Sequence, residues 1–217
     1  MKKQPHARPI IVLGCGGHAK VLLDTLRALD HSVMGAVDTD PVKHGTKILG
    51  VPILGGEDWV LKHSPSEVHL VNGLGGVSST QTRRTVFNKF RERGYEFLTL
   101  IHPTAWVGSE VSLGEGVQIM AGVRIQPGCQ IRSNSIINTG ATIDHDSEIG
   151  DHVHIAPGVT VCGSIKIGEK SLIGAGSTII QKIILGPETL IGAGSLVIHS
   201  FESGGIKAFG VPAREAK

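Results

Sequence analysis

The sequence predicts a two-part chain: a small parallel α/β domain over residues 1–100, then a parallel β-helix over residues 101–217. Two observations carry this. From Ile101 to Val197 every sixth residue is aliphatic, at seventeen consecutive positions. Neither the helical period of 3.6 nor the strand period of 2 gives that pattern, whereas a hexapeptide repeat does. Before Ile101 that period is absent, and strands alternate with helices, which implies a parallel sheet.

In the first part, Ile10-Ile11-Val12-Leu13 reads as a buried strand, residues 14–19 as a tight loop and 20–29 as a helix. Strands follow near 33–37, 51–54 and 68–71, then a helix over 80–93 and a last strand near 97–100. The loop fits G-x-G-x-x-A through Gly14, Gly16 and Ala19, and Asp38 lies 24 residues after Gly14. That is where a Rossmann-like domain places a ribose-binding acid. The unit is half the size of a dinucleotide domain, so a nucleotide bearing a smaller group fits better than NAD. A second glycine turn, Asn72-Gly73-Leu74-Gly75-Gly76, belongs on the same sheet edge. Arg83 and Arg84 read as a solvated helix face.

In the second part, three six-residue units make an 18-residue triangular coil. About five coils at roughly 4.8 Å spacing give a prism roughly 25 Å tall. The position four residues after each aliphatic must be small or β-branched to fill a thin interior, as in Cys129, Ser135, Ala141, Ser147 and Val153. Glycine follows the aliphatic at 108, 114, 150, 168, 174, 186 and 192, where tight packing or unusual dihedrals are expected. Such a prism has no room inside for a ligand, so any site lies on its faces or between prisms.

Bulk composition narrows the function. A net charge of +2 and 4% aromatic residues argue against nucleic acid. Three cysteines without framework or metal spacing suggest a reducing, cytoplasmic setting. No stretch is long enough for a signal peptide core or a membrane span.

The prism's exterior stops repeating between residues 138 and 154. Three histidines and four acids fall within residues 144–154. A histidine beside a carboxylate, here His145-Asp146, is the unit of general-base catalysis. Both side chains can face one groove only at a corner. One coil beyond His145 stands Gly163, whose missing side chain leaves room for a slim ligand. A zinc reading of His145, His152 and His154 is the weaker one, and no metal is expected.

The opening GCGGHA, the segment NTGATIDHDSEIGDHVHIAPG and the closing Gly210-Val211-Pro212-Ala213 resemble the sialic-acid O-acetyltransferase family, and within it the bacterial nucleotide-amino-sugar N-acetyltransferases. The resemblance implies a left-handed β-helix and a homotrimer with active sites between adjacent prisms. It implies His145 as general base and Asp146 as the acid that raises its basicity. His154, Gly163, Ala175 and Ala193 match positions that contact acetyl-CoA, and Asn138 a position near the catalytic histidine. Gly16, Gly17, His18, Asp38, Thr39 and Gly73 match contacts to the UDP- or GDP-linked sugar. The expected reaction is direct acetyl transfer to a 4-amino group. The alternatives are O-acetylation of a sugar such as sialic acid, a non-enzymatic nucleotide-binding scaffold trimer, and NAD-linked chemistry.

Overall fold

The computed structural model describes residues 8–76 and 79–216. Contacts divide the chain into two compact units. One is Met1–Gly75 with Thr85–Leu98, the other Gly76–Arg84 with Thr99–Lys217. No helix among the described residues is long and apolar enough to cross a membrane.

The first unit is built on a three-stranded parallel sheet. β1 (Ile10–Leu13) lies between β2 (Val33–Val37) and β5 (His69–Asn72), with a hairpin of β3 (Lys47–Ile48) and β4 (Val51–Pro52) beside it. The continuous apolar run of β1 is buried on both faces, as parallel sheets demand. Helix α1 (Gly17–Ala28) starts three residues earlier than the sequence suggests, because Gly16 acts as N-cap. A short helix α2 (Glu57–Val60) precedes β5, and α3 (Gln81–Arg91) follows it. Val86, Phe87, Phe90, Tyr95 and Phe97 close the core over Ile11, Leu13, Val37 and Leu70. The expected last strand is split. Phe97 makes only a single parallel bridge to Leu70, and Leu100–Ile101 pairs instead with Gln118–Ile119 at the start of the prism.

The second unit is a three-faced prism. Seventeen two-residue strands, from Leu100–Ile101 to Leu196–Val197, occur at six-residue intervals, and each of the first fourteen pairs in parallel with the strand 18 residues on. Face 1 carries Arg124–Ile125, Thr142–Ile143 and Thr160–Val161. Face 2 carries Gln130–Ile131, Glu148–Ile149 and Lys166–Ile167. Face 3 carries Ile136–Ile137, His154–Ile155 and Leu172–Ile173, and is extended by Lys207–Phe209 and Arg214–Glu215. The aliphatic ladder is buried from Ile119 to Val197, while Ile101, with no coil beneath it, is 38% exposed. The small interior residues also make hydrogen bonds. The Ser135 hydroxyl donates to the Gly150 carbonyl at 2.8 Å and accepts from the Val153 N–H at 3.0 Å, and Ser147 serves Cys162 and Ile165 in the same way. A thin core therefore still satisfies its corner backbone.

The glycines that follow the ladder are explained by packing, not by dihedral angle. A Cβ at Gly168 would lie 2.4 Å from the Pro187 nitrogen in the next coil. Gly168→Ala must force stacked backbones apart, so it is expected to cost about 1–3 kcal/mol and lower Tm by roughly 3–10 °C. An unchanged calorimetric melt would refute this account.

Arg83 departs from the expected solvated face. It is 1% exposed, and its Nε donates to the Asn134 carbonyl at 3.0 Å on the prism. The Asn134 carbonyl thus takes one of the five donors of the buried guanidinium. Arg84 stays partly exposed, paired with Gln81 and Glu188.

Candidate active site

His145 and Asp146 sit in the corner between Thr142–Ile143 on face 1 and Glu148–Ile149 on face 2. The corner requires one residue in the left-handed region, and Asp146 takes it at φ 57°. Aspartate tolerates that conformation better than most residues. The turn brings adjacent side chains to one side, which a strand would not. Asp146 Oδ2 lies 2.8 Å from His145 Nδ1, so the proton of the neutral ring is on Nδ1 and Nε2 is free to accept. The pair is open to solvent, with side chains 58% and 68% exposed. The hydrogen bond that Nδ1–H donates to Asp146, then the charge of Asp144, hold the His145 pKa above its ordinary 6.5.

Gly163 lies directly against the His145 ring: a Cβ there would lie 2.7 Å from His145 Nε2 and 2.8 Å from Cε1, so the imidazole itself uses the space that a side chain would take. The Gly163 N–H donates no hydrogen bond among the described residues. On face 1 beside the corner lies a cavity of ≈ 240 Å3 lined by residues including Arg124, Thr142, Asp144, Thr160 and Cys162. One residue that sequence reasoning missed is Gly128, one coil below Asp146. A Cβ at Gly128 would lie 2.8 Å from Asp146 Oδ1.

The other prism residues lie elsewhere. His154 is on face 3, 6% exposed, with Nε2 3.2 Å from Asn138 Nδ2. Burial, then the nearby Arg83 charge, pull its pKa down to about 4. Nine residues, half a coil, separate His145 from His154, so a single prism carries them on opposite sides. Ala175 and Ala193 are exposed and stacked one coil apart at the corner between faces 3 and 1, where the Gly194 N–H donates to the Ala175 carbonyl. His152 is half-buried against Asn134. Among the described residues no group of three or more His, Cys, Asp or Glu is arranged to hold a metal ion.

In the first unit the loops meet at one sheet edge. Gly16 and Gly17 open α1 with no side-chain cap and no acid in the first turn, and a Cβ at either would meet nothing within 4 Å. This is a free helix N-terminus of the kind that receives anions. His18 is half-buried in the helix's first turn, and Thr39 is exposed beyond β2. Asp38 is largely committed: its carboxylate accepts from the Cys15 N–H, Lys43 Nζ and the Asp40 N–H at 2.8–3.0 Å. Burial pushes the carboxyl up, but the Asp40 N–H, Lys43 and Cys15 hold it below its usual range. Gly73 is buried, where a Cβ would meet the Leu13 and Gly14 carbonyls within 2.9 Å. Packing alone thus requires glycine there.

Comparison with known proteins gives a consistent picture. Residues 9–90 match the PglD N-terminal domain, and residues 128–163 match the bacterial transferase hexapeptide of six repeats. PerB from Caulobacter crescentus, solved in complex with CoA and GDP-perosamine, is 34% identical over 96% of this chain and 97% of that one, with a TM-score of 0.89. The acetyltransferase domain of PglB from Neisseria gonorrhoeae, solved with acetyl coenzyme A, is 31% identical over 97% and 100%, with a TM-score of 0.88. UDP-N-acetylbacillosamine N-acetyltransferase of Bacillus subtilis is 34% identical over 118 residues, 52% of this chain; the match spans about half of that relative's length (51%). The prism is thus the left-handed β-helix of hexapeptide transferases, and the chain belongs to the hexapeptide-repeat acetyltransferases that carry a PglD-type N-terminal domain.

Proposed function

We propose that the chain transfers the acetyl group of acetyl-CoA to the 4-amino group of a UDP- or GDP-linked amino-dideoxy sugar. The observation that carries this is the corner itself: a His145–Asp146 pair at 2.8 Å, with the accepting Nε2 set against Gly163, where no side chain could stand. The sugar amine attacks the thioester carbonyl carbon and its proton passes to Nε2. The C–S bond breaks as the tetrahedral intermediate collapses, and the CoA thiolate leaves. The Gly163 N–H would receive the oxyanion. Asp146 stabilises the imidazolium without taking the proton.

Residues 1–100 would hold the nucleotide sugar, its diphosphate at the open start of α1 near Gly16, Gly17 and His18, with Asp38, Thr39 and Gly73 shaping the edge. Residues 101–217 would hold acetyl-CoA along Gly163, His154, Ala175 and Ala193, with Asn138 beside His154. These residues occupy different sides of one prism, so a complete site needs a second copy, and a homotrimer is the assembly that supplies it three times. The cytoplasm, where acetyl-CoA is available, is the matching location.

The named relatives favour an amine acceptor over the hydroxyl of sialic acid or another sugar. The test is thiol release from acetyl-CoA with a panel of UDP- and GDP-linked 4-amino sugars and their 4-hydroxy counterparts. Turnover is expected with at least one amine. Turnover confined to hydroxyl sugars would transfer the assignment to O-acetylation.

A further inference from the structure

We propose that Gly128 is a positioning residue for the reaction: it reserves the space in which Asp146 can reach His145, and so helps set the strength of the base. The inference rests on His145 acting as the base, as proposed above, and adds a residue that touches neither substrate.

The argument begins with the turn. Gly128 has φ +76°, which by itself would explain a glycine. The same position in other coils shows that it does not. Glu110, Ser164 and Lys182 occupy it at φ 59°, 58° and 61°, so side chains are accepted in this corner column wherever nothing is in the way. At coil 128 something is in the way. The Asp146 carboxylate leans down from the coil above until Oδ1 lies 2.8 Å from where a Cβ would stand, closer than real Cβ atoms approach. The obstructing atom ends a short side chain that can rotate, so a Cβ at 128 displaces the carboxylate and leaves the backbone where it is. Displacement breaks the 2.8 Å bond between Oδ2 and His145 Nδ1.

The corner is hollowed on a diagonal. Gly128 below makes room for the carboxylate, and Gly163 above makes room beside Nε2. Cys129 pins the same turn from inside, donating to the Asp144 carbonyl at 3.1 Å. The charged groups that bear on His145 are few. Asp146 and Asp144 come from its own turn, and Arg124 shares the face 1 cavity with Asp144. The coil below offers Gln126-Pro127-Gly128, without charge, and the coil above Cys162-Gly163-Ser164, whose thiol is its one titratable group. With Asp146 turned away, the imidazole loses the neighbour that most raises its pKa.

The experiment uses the full chain and compares Gly128→Ala, Asp146→Asn and the double variant. The His145 imidazole is titrated by NMR, and kcat and KM are measured across pH. Gly128→Ala is expected to move the His145 titration down toward 6.5 and to lower kcat roughly 10-fold with KM unchanged. The double variant should titrate with Asp146→Asn alone, because both changes remove one interaction. A merely structural role would lower Tm and leave the titration in place. An unmoved titration in Gly128→Ala, or an additive drop in the double variant, overturns the proposal. If Gly128→Ala does not fold, Gly128→Ser reads the same quantity, since Ser164 shows that serine fits this turn. The titration needs no substrate. An acceptor panel that fails with every amine would therefore sink the acetyl-transfer reading while leaving this result intact.

Discussion

His145→Ala is expected to lower kcat by ~10^2–10^4-fold while leaving the affinities for acetyl-CoA and the nucleotide sugar near those of the wild type. The acceptor nitrogen must lose a proton as it bonds to the acyl carbon, and Nε2 is the ring nitrogen left to take it, because Nδ1 is held by Asp146. The neutral imidazole is the working form, so activity falls as pH drops through the raised His145 pKa. Asp146→Asn keeps a hydrogen-bond acceptor but removes the charge. It should shift that acid limb to lower pH and lower kcat by a smaller factor, since a weaker base is deprotonated earlier but pulls less. Steady-state kinetics from pH 5.5 to 9, with binding of both substrates measured separately, checks the set. A His145→Ala enzyme with near-normal kcat would remove His145 from the mechanism.

How much of this could be read from the chain follows from where the information sits. The prism is legible because a coil is 18 residues with no insertion, so the juxtaposition of His145 and Gly163 can be counted from the sequence. The same count reaches Gly128, yet nothing in the sequence singles it out. Glycine recurs at 122, 140, 158, 176 and 194 for the turn alone, and only the direction in which Asp146 leans separates 128 from these. Arg83 was misjudged for a related reason. Its partner, the Asn134 carbonyl, is 51 residues away, and no local pattern reports it. Spacing singles out Asp38, but its commitment to Cys15, Asp40 and Lys43 depends on how two loops meet. Local period and spacing located the elements; side-chain direction and distant backbone partners decided what each residue does.

His154 supplies the second large effect, on stability. The Thr139 N–H donates to Asn138 Oδ1 at 2.8 Å, which turns the Asn138 amide nitrogen toward His154 Nε2. A ring that accepts at Nε2 is neutral with its proton on Nδ1, and that atom lies beside the Gly76 backbone. Adding a second proton would require breaking the Asn138 bond and burying a charge close to Arg83, whose own pKa burial pulls down to about 9. Hence the folded pKa is about 4 against 6.5 in the open chain. Between those values the unfolded state binds more protons, so stability falls as pH drops from 6.5 toward 4, by roughly 3 kcal/mol in all. His152 and His69, whose pKa values burial also lowers, act in the same direction, so the wild-type curve alone does not isolate the effect. The difference from His154→Gln does, because glutamine can accept from Asn138 but cannot titrate. Denaturant unfolding at pH 7.5 and 4.5 should show the variant losing less stability than the wild type by roughly that amount. Parallel pH dependence in the two proteins would mean that His154 takes up its proton without leaving its place, and the tautomer argued from Asn138 would be wrong.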